Sequence, residues 1–476
     1  MGSHTEASPA SPASPVPFRR FLRAIDIFFV CVVSTVNLSL LTSTASAGFR
    51  VFWLWLLAIP CFVIPQAIAV AEISFSDPGE GGLALWSGRY LGERVGFLTS
   101  WCYWLNNVPY VPSLMVYIVA TVSYVFPRLQ TINPAWHLMF AMAGLWSIVA
   151  LNVVGVGTRR WVNVTGACST LLAVGLVIWM GARYFATHPG PLVPGAGEGQ
   201  TWGIPPLNLE TTSVFGLVCM SMIGVEIGSV FGAEISASRA ATAWAAIRAS
   251  GASLFCYVAA TAALLAGMSG APLGSASGLM DYVRHIMEGA MRGRAIAAMA
   301  ALICISLAGA GLCWFAAAAR MLWLCAVEGG LRPSLQRLHP QWRTPDRAMR
   351  AQGILSSGVL VLGFLGAATQ EAYVTLLDIA VIIQLLPYVA IFLGLIRHGL
   401  AQAPPRRWLS VISGTLGCGA TLFGTAMAFI PSRAISSIWQ YEIKLCTGCL
   451  LCVGLGFWVF ARRQQAPALN VVYQKS

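Results

Sequence analysis

Long apolar runs recur along almost the whole chain, and short polar connectors separate them. An α-helix rises about 1.5 Å per residue, so about 20 apolar residues cross the roughly 30 Å hydrocarbon core of a bilayer. The pattern predicts twelve membrane-spanning helices, spans one to twelve, at about 24–47, 51–75, 95–126, 136–154, 162–187, 211–233, 244–269, 295–326, 351–369, 372–396, 408–430 and 438–461. The predicted fold class is an all-α integral membrane protein.

Composition supports this prediction. Hydrophobic residues fill 57% of the 476 positions and charged residues 10%, which is too little polar material to cover a soluble globule. The net charge of +12 forms no continuous basic face, because Lys and Arg are scattered through the connectors. The charge therefore argues against a nucleic-acid partner.

The basic residues fall mostly on one side of the predicted membrane. With twelve spans both termini share a side, and the connectors on that side hold 21 of the 29 Lys and Arg residues. Because basic residues are enriched in cytoplasmic connectors, both termini are predicted to be cytoplasmic. The expected location is the cell membrane, either plasma or inner.

Two predicted spans combine polar side chains with glycine, and they lie five spans apart. These segments are "STVNLSLLTSTASAG" (34–48) in span one and "SMIGVEIGSVFGAE" (221–234) in span six. A bilayer tolerates unwound backbone only where it lines a cavity, so paired interruptions indicate two broken helices around a central site. The candidate substrate-binding residues in these segments are Asn37, Ser39, Thr42, Ser43, Ile223, Gly224, Glu226 and Gly228.

Glu226 is the most unusual of these residues, because an acid at the centre of a membrane helix costs on the order of 2.5–3.5 kcal/mol. It could contact substrate, carry a coupling proton, or pair with a polar neighbour on span one or ten. Asp378 on span ten is the second coupling candidate, and an acid that pairs with a nearby hydroxyl is its alternative reading. Gln384 lies further along the same span.

No pattern indicates an enzyme, a cofactor or a metal site. Cys446, Cys449 and Cys452 form a C-x-x-C-x-x-C run inside the apolar span twelve, which holds no His, and this favours packing cysteines. The "GEGG" stretch (79–82) is followed by no Lys, so it is a weak nucleotide-binding signal. The predicted partners are a small-molecule substrate, a coupling proton or Na⁺, and membrane lipid.

Several stretches together resemble the amino acid/polyamine/organocation (APC) superfamily of transporters, over about residues 20–400. The stretch "AEISFSDPGEGGLALWSGRY" resembles a family signature at Glu72, Pro78, Gly81, Gly82 and Trp86. The connectors 151–164 and 319–349 resemble two connectors of the family, whereas span one lacks the family's usual Gly-Ser-Gly-Ile-Phe break. The combination of "PGEGG" with "WCYWLNNVPYVPSLMVY" (101–117) is most similar to the glutamate/GABA antiporter-like branch.

The resemblance implies a LeuT-like fold, a 5+5 inverted repeat with broken helices one and six. It also implies a secondary active transporter, a permease or antiporter, that moves an amino acid or related amine by alternating access. The ligand would lie between the two breaks, with Trp101, Tyr103 and Trp104 of span three as wall or gate residues. A ligand sensor or a channel of the same fold is the alternative.

The predicted organisation has four parts. Residues 1–17 form a disordered N-terminal tail, and residues 18–400 form the ten-helix inverted-repeat transport core. Residues 401–463 hold helices eleven and twelve, and residues 464–476 form a C-terminal tail.

Overall fold

A computed structural model of the chain describes residues 21–45, 48–76, 81–131, 133–155, 159–187, 209–267, 278–364, 367–429 and 438–463. Both predicted tails, 1–17 and 464–476, lie outside these residues, as does Pro78 of the family signature. The described part is almost entirely helical, which confirms the all-α class.

The helices follow the apolar runs closely. In chain order they are α1 (Ala24–Thr35), α2 (Leu38–Ala45), α3 (Val51–Ala58), α4 (Ile64–Ser76), α5 (Leu83–Leu91), α6 (Glu93–Val125), α7 (Pro134–Val153), α8 (Arg160–Thr187), α9 (Leu209–Ser221), α10 (Ile227–Val230), α11 (Arg239–Gly267), α12 (Gly278–Ile286), α13 (Gly289–Val327), α14 (Asp346–Phe364), α15 (Ala367–Leu400), α16 (Arg406–Ala428) and α17 (Ile438–Ala461). A π-helical stretch, Ile59–Val63, joins α3 to α4 into one continuous rod.

Nine helices among the described residues are long and apolar enough to cross a membrane. The three predicted spans outside this set are one, six and nine. Spans one and six are divided into shorter helices. Span nine corresponds to α14, whose first turns carry Asp346, Arg347 and Arg350 and so leave a shorter apolar stretch. The number twelve therefore stays a prediction.

The divisions of spans one and six face each other. α1 ends at Thr35 and α2 begins at Leu38, while a turn over 222–226 separates α9 from α10. Gly224 in that turn has φ +127°, and a Cβ there would stand 2.8 Å from the backbone oxygen of Ser34. Glycine is required at this position, because any other residue would be strained and would push the two interruptions apart.

Long unbroken helices surround the interrupted ones. α1 packs against α8, α11 and α13, while α15 packs against α5, α6 and α16. Where α8 crosses α13, a Cβ on Gly166 would lie 3.2 Å from the Cα atom of Gly309. Small residues at such crossings let membrane helices approach closely. The interruptions are thus held inside a tightly packed frame.

The chain entering α1 pairs with the chain leaving span six. The backbone N–H groups of Phe21 and Leu22 donate to the Glu234 oxygen at 2.9 and 3.0 Å, and the N–H of Ser236 donates to the Leu22 oxygen at 2.8 Å. An isolated bridge joins Leu22 to Ile235. These bonds connect the start of span one to the end of span six.

Two further contacts close this end of the molecule. The buried Arg320 of α13 forms an ion pair with Glu234, and its guanidinium carbon lies 4.5 Å from the ring centre of Phe231. The N–H of Gly81 donates to the Val230 oxygen at 3.2 Å. We call this set of contacts, made by residues 21–22, 81, 230–236 and 320, the seam.

Candidate functional site

A cavity of about 230 Å³ lies beside the two interruptions. Its walls come from the broken segments of spans one and six and from α6, α13 and α15. The lining residues are Ser34, Thr35, Asn37, Ser39, Leu40, Asn106, Tyr110, Ser113, Met220, Ser221, Ile223, Trp314, Ala380, Val381 and Gln384. This volume suits a small molecule of a few heavy atoms better than a drug-sized ligand.

Asn37 organises the wall that span one contributes. As the residue before α2, it accepts hydrogen bonds at Oδ1 from the backbone N–H and the hydroxyl of Ser39, at 3.0 and 2.7 Å. An asparagine at this position satisfies an N–H group that the helix start leaves free. Its Nδ2 donates to the Tyr110 hydroxyl at 3.2 Å. The structure thus brings Asn37 and Ser39 to the cavity, while the side chain of Ser43 lies outside the described part.

Side chains from other helices satisfy the backbone that the break in span one releases. The buried Tyr257 of α11 accepts from the Asn37 N–H at 3.0 Å and donates to the Thr35 oxygen at 3.1 Å. The Trp314 indole of α13 donates to the Ser34 oxygen at 3.1 Å. Unpaired backbone groups are costly inside a membrane, so these bonds make the interruption tolerable. Sequence reasoning missed both aromatic residues.

Span six reaches span one through its open turn. The Ser34 hydroxyl donates to the Gly224 oxygen at 3.0 Å, and the Cys31 thiol donates to the Val225 oxygen at 3.2 Å. Ile223 lines the cavity, whereas Gly224, the next residue, does not. Carbonyl groups freed by one break are therefore bound by short side chains of the other broken span.

Glu226 is fully buried and does not line the cavity. Its Oε2 accepts from the Gly224 N–H at 2.8 Å, from the Gln66 amide at 3.5 Å and, in a short hydrogen bond, from the Tyr388 hydroxyl. Its Oε1 accepts from the Tyr103 hydroxyl at 3.3 Å. We call Glu226, Gln66, Tyr103 and Tyr388 the Glu226 cluster.

The Glu226 cluster lies one helical turn from the cavity. Tyr103 precedes Asn106 by three residues on α6, and Tyr388 follows Gln384 by four on α15, so each lies on the face of its helix that carries a lining residue. None of the ion pairs among the described residues includes Glu226. A carboxyl group held only by neutral donors can exchange a proton without breaking an ion pair.

Two of the predicted residues pack helices together instead of lining the cavity. A Cβ on Gly228 would stand 3.0 Å from Ile27 and 3.3 Å from the Cys31 sulfur, so this glycine lets α10 press against α1. Thr42 is fully buried and would collide with any side chain placed at Gly278 of α12. Both positions depend on close packing.

The predicted wall residues Trp101 and Trp104 and the second acid, Asp378, lie near the last helix, α17. The Trp101 indole donates to the Cys452 oxygen of α17 at 3.0 Å, and Trp104 packs edge-on against Trp101 with ring centres 5.2 Å apart. Asp378 accepts from the Tyr441 hydroxyl of α17 at 2.7 Å. The structure brings none of Trp101, Trp104 and Asp378 to the cavity. Among the aromatic candidates only Tyr103, in the Glu226 cluster, lies close to it.

Gln384 lines the cavity and has an amide group without hydrogen-bond partners in the described part of the chain. The residue is 3% exposed, and neither atom of its amide group has a hydrogen-bond partner among the described residues. The Thr35 hydroxyl, also in the wall, is likewise buried without a partner. Buried polar atoms are normally paired, so the unpaired atoms of these two wall residues are candidates for contact with a ligand or water.

Comparisons with known proteins point in one direction. A family model described as amino acid permease matches residues 21–452. An uncharacterized transporter of Legionella pneumophila is 24% identical over 457 residues, which are 94% of this chain and 97% of that protein. A protein of Lactococcus lactis, described as a probable agmatine/putrescine antiporter, is 22% identical over 365 residues, 76% of each chain.

The fold is shared with solved structures. The crystal structure of MhsT in complex with L-phenylalanine superposes with a TM-score of 0.60 at 12% identity, covering 93% of this chain and 99% of that one. At this identity the likeness concerns the fold alone. It confirms the predicted LeuT-like architecture.

Proposed function

The chain belongs to the amino acid permease family, and on that premise we propose that it is a secondary transporter moving an amino acid or related amine by alternating access. Its class is that of an integral membrane transporter of the cell membrane. The finer proposal concerns the substrate, its site and the way access to that site changes.

The cavity beside the two interruptions is the observation that carries the proposal. It is lined by Asn37, from the non-helical stretch of span one, and by Ile223, from the turn of span six. In a membrane, such backbone persists only where it lines a cavity or is bound by protein. The proposed substrate site comprises Asn37, Ser39, Ile223 and Gln384, with Gly224 next to Ile223 in the chain.

Glu226 is the proposed coupling residue, since its cluster lies between the cavity and the rest of span six. Protonation of Glu226 would change the hydrogen bonds of Tyr103 and Tyr388. Because these tyrosines lie on α6 and α15, which both contribute to the cavity wall, the change would affect two sides of the cavity. Asp378 is a weaker candidate because its partner is Tyr441, on the outer helix α17. Counterflow that does not depend on pH would favour exchange or Na⁺ coupling without a proton.

The distribution of basic residues supports cytoplasmic termini. On that placement the seam closes the cytoplasmic side of the cavity, and the described arrangement represents a state closed to the cytoplasm. The Lactococcus relative, described as a probable agmatine/putrescine antiporter, is the reason that amines stay among the candidate substrates beside amino acids.

Counterflow in proteoliposomes tests this proposal. Purified protein is reconstituted with an unlabelled amino acid or amine inside, and uptake of the labelled compound is followed. A carrier accumulates label transiently by exchange, whereas a channel only equilibrates it and a sensor binds it without flux. Exchange of at least one compound is the expected result, and binding without exchange for every compound that binds would overturn the proposal.

A further inference from the structure

The polar groups that line the cavity are uncharged. Among the described residues its wall contains amides, hydroxyls and an indole, but no Asp, Glu, Lys, Arg or His. Glu226 does not line the cavity, and its carboxyl group accepts hydrogen bonds from Gly224, Tyr103, Gln66 and Tyr388. A ligand in the cavity thus finds no opposite charge among the described residues of its wall.

This neutrality limits the net charge of the ligand. Moving an ion out of water into a poorly polar site is expensive unless an opposite charge accompanies it. A zwitterion brings its own opposite charge, and the backbone groups at the two interruptions supply further dipoles. A cation such as lysine or putrescine, or an anion such as glutamate, would carry an uncompensated charge.

The unpaired amide of Gln384 favours a ligand whose own side chain is polar. Its amide can donate and accept, yet both atoms are unpaired in the described structure. The matching ligand group also donates and accepts, as an amide or a hydroxyl does. An aliphatic ligand of the same size would leave the Gln384 amide without a hydrogen bond in a site from which water is excluded. Sites built to hydrogen-bond a ligand discriminate most strongly against analogues that lack the polar group.

We propose that the cavity selects small amino acids of zero net charge whose side chain carries an amide or hydroxyl, and that Gln384 is the residue that reads this group. The inference rests on the proposed transport function. Thr35, whose hydroxyl is also unpaired, lies in the same wall and offers a second contact.

A substrate panel tests the class. Counterflow is measured with asparagine, glutamine, serine, leucine, lysine, glutamate and putrescine under one set of conditions. Asparagine, glutamine or serine should exchange about tenfold faster than leucine, the near-isostere of asparagine, and the charged compounds should be slower still. Preferred exchange of lysine, putrescine or glutamate would overturn the inference while leaving the transport proposal intact.

Ligand binding keeps the inference testable if no exchange is seen. The same compounds are titrated against the detergent-solubilised protein while its thermal unfolding is followed, because a ligand that binds the folded state raises the apparent stability. Stabilisation by the neutral polar amino acids supports the inference, even if the protein is a sensor. Stabilisation by charged compounds alone, or by none of the panel, refutes it.

The variant Gln384→Leu tests whether Gln384 recognises the polar side chain of the ligand. It should reduce the preference for asparagine over leucine by about tenfold. Gln352→Leu is the matched control, because Gln352 of α14 is also fully buried with both amide atoms unpaired but does not line the cavity. The control should keep the wild-type preference, and an equal change in both variants, or none in Gln384→Leu, would contradict the assignment.

Discussion

At the scale of single residues, Glu226 shows how a membrane protein accommodates an acid. Gln66, Tyr103 and Tyr388 approach it from α4, α6 and α15, so one carboxyl group joins three helices. Protonation would turn one carboxyl oxygen from an acceptor into a donor. At least one partner must then rotate, and this links the proton to helix positions.

The first prediction concerns this proton. Glu226→Gln keeps the size and most hydrogen bonds of the side chain but removes its titration, so counterflow should persist while its dependence on pH flattens. Initial rates across a pH series are the measurement.

Asp378→Asn is the matched control, because it removes the second coupling candidate, which contacts Tyr441 and does not line the cavity. It should retain the wild-type pH profile. A profile of Glu226→Gln that runs parallel to the wild type would exclude Glu226 as the coupling group.

At the scale of elements, the two interruptions stabilise each other. Each break exposes backbone groups, and side chains of the facing segment or of α11 and α13 bind them. Neither segment could adopt this form alone in a bilayer, because its open backbone would then be unsatisfied. Gly224 is the position where the segments come closest.

Gly224→Ala tests that approach. Alanine at φ +127° is strained and would overlap with the backbone of Ser34, so we expect a loss of stability of about 1–3 kcal/mol. Thermal unfolding of the purified protein provides the measurement.

Gly251→Ala is its control, since Gly251 lies in α11 with no atom within 4 Å of the added Cβ. That variant should be neutral or slightly stabilising, by roughly 0.5–1 kcal/mol. Equal effects of the two substitutions would show that the close approach at Gly224 does not exist in the folded protein.

The sequence predicts where the helices lie along the chain better than it predicts which face of each helix lines the cavity. Asn37 and Ser39 are predicted because polar residues stand out within an apolar span, and Ile223 because it adjoins Gly224; all three line the cavity. On α6, successive residues turn by roughly 100°, so Trp101 and Trp104 lie almost opposite Tyr103, Asn106 and Tyr110. Which of these faces meets the cavity depends on packing against distant helices, since lipid and protein interior are both apolar.

The same limit explains why Gln384 and Tyr257 were missed as site residues. Both lie in apolar helices, and their importance comes from partners or a cavity formed by other helices. Periodicity carries little information there, because a helix that is apolar all round gives no sign of its inward face.

At the scale of the whole molecule, the cavity and the seam lie at different depths. The cavity involves the second half of span one, while the seam joins the chain before α1 to the end of span six and to α13. The Glu226 cluster lies between them. A ligand leaving the cavity toward the termini must therefore pass both the cluster and the seam.

The ion pair of the seam gives a stability prediction. Arg320→Met leaves Glu234 buried without its partner and should cost about 3–5 kcal/mol, because an unpaired buried charge is strongly unfavourable. The double variant Arg320→Met with Glu234→Gln removes both charges and should recover much of that loss. Unfolding of the two single variants and the double variant completes the cycle, and purely additive losses would show that the two residues do not interact.

The bridge between Leu22 and the chain after Glu234 has a mechanical consequence. Because the backbone before α1 is tied to the backbone after α10, neither half-helix can swing at its terminal end unless it drags the other or breaks the tie. If this pairing is kept, α1 and α10 move together as one rigid unit that turns about the close contact at Gly224. The segment 21–23, which links the pairing to α1, then limits how far that unit can tilt.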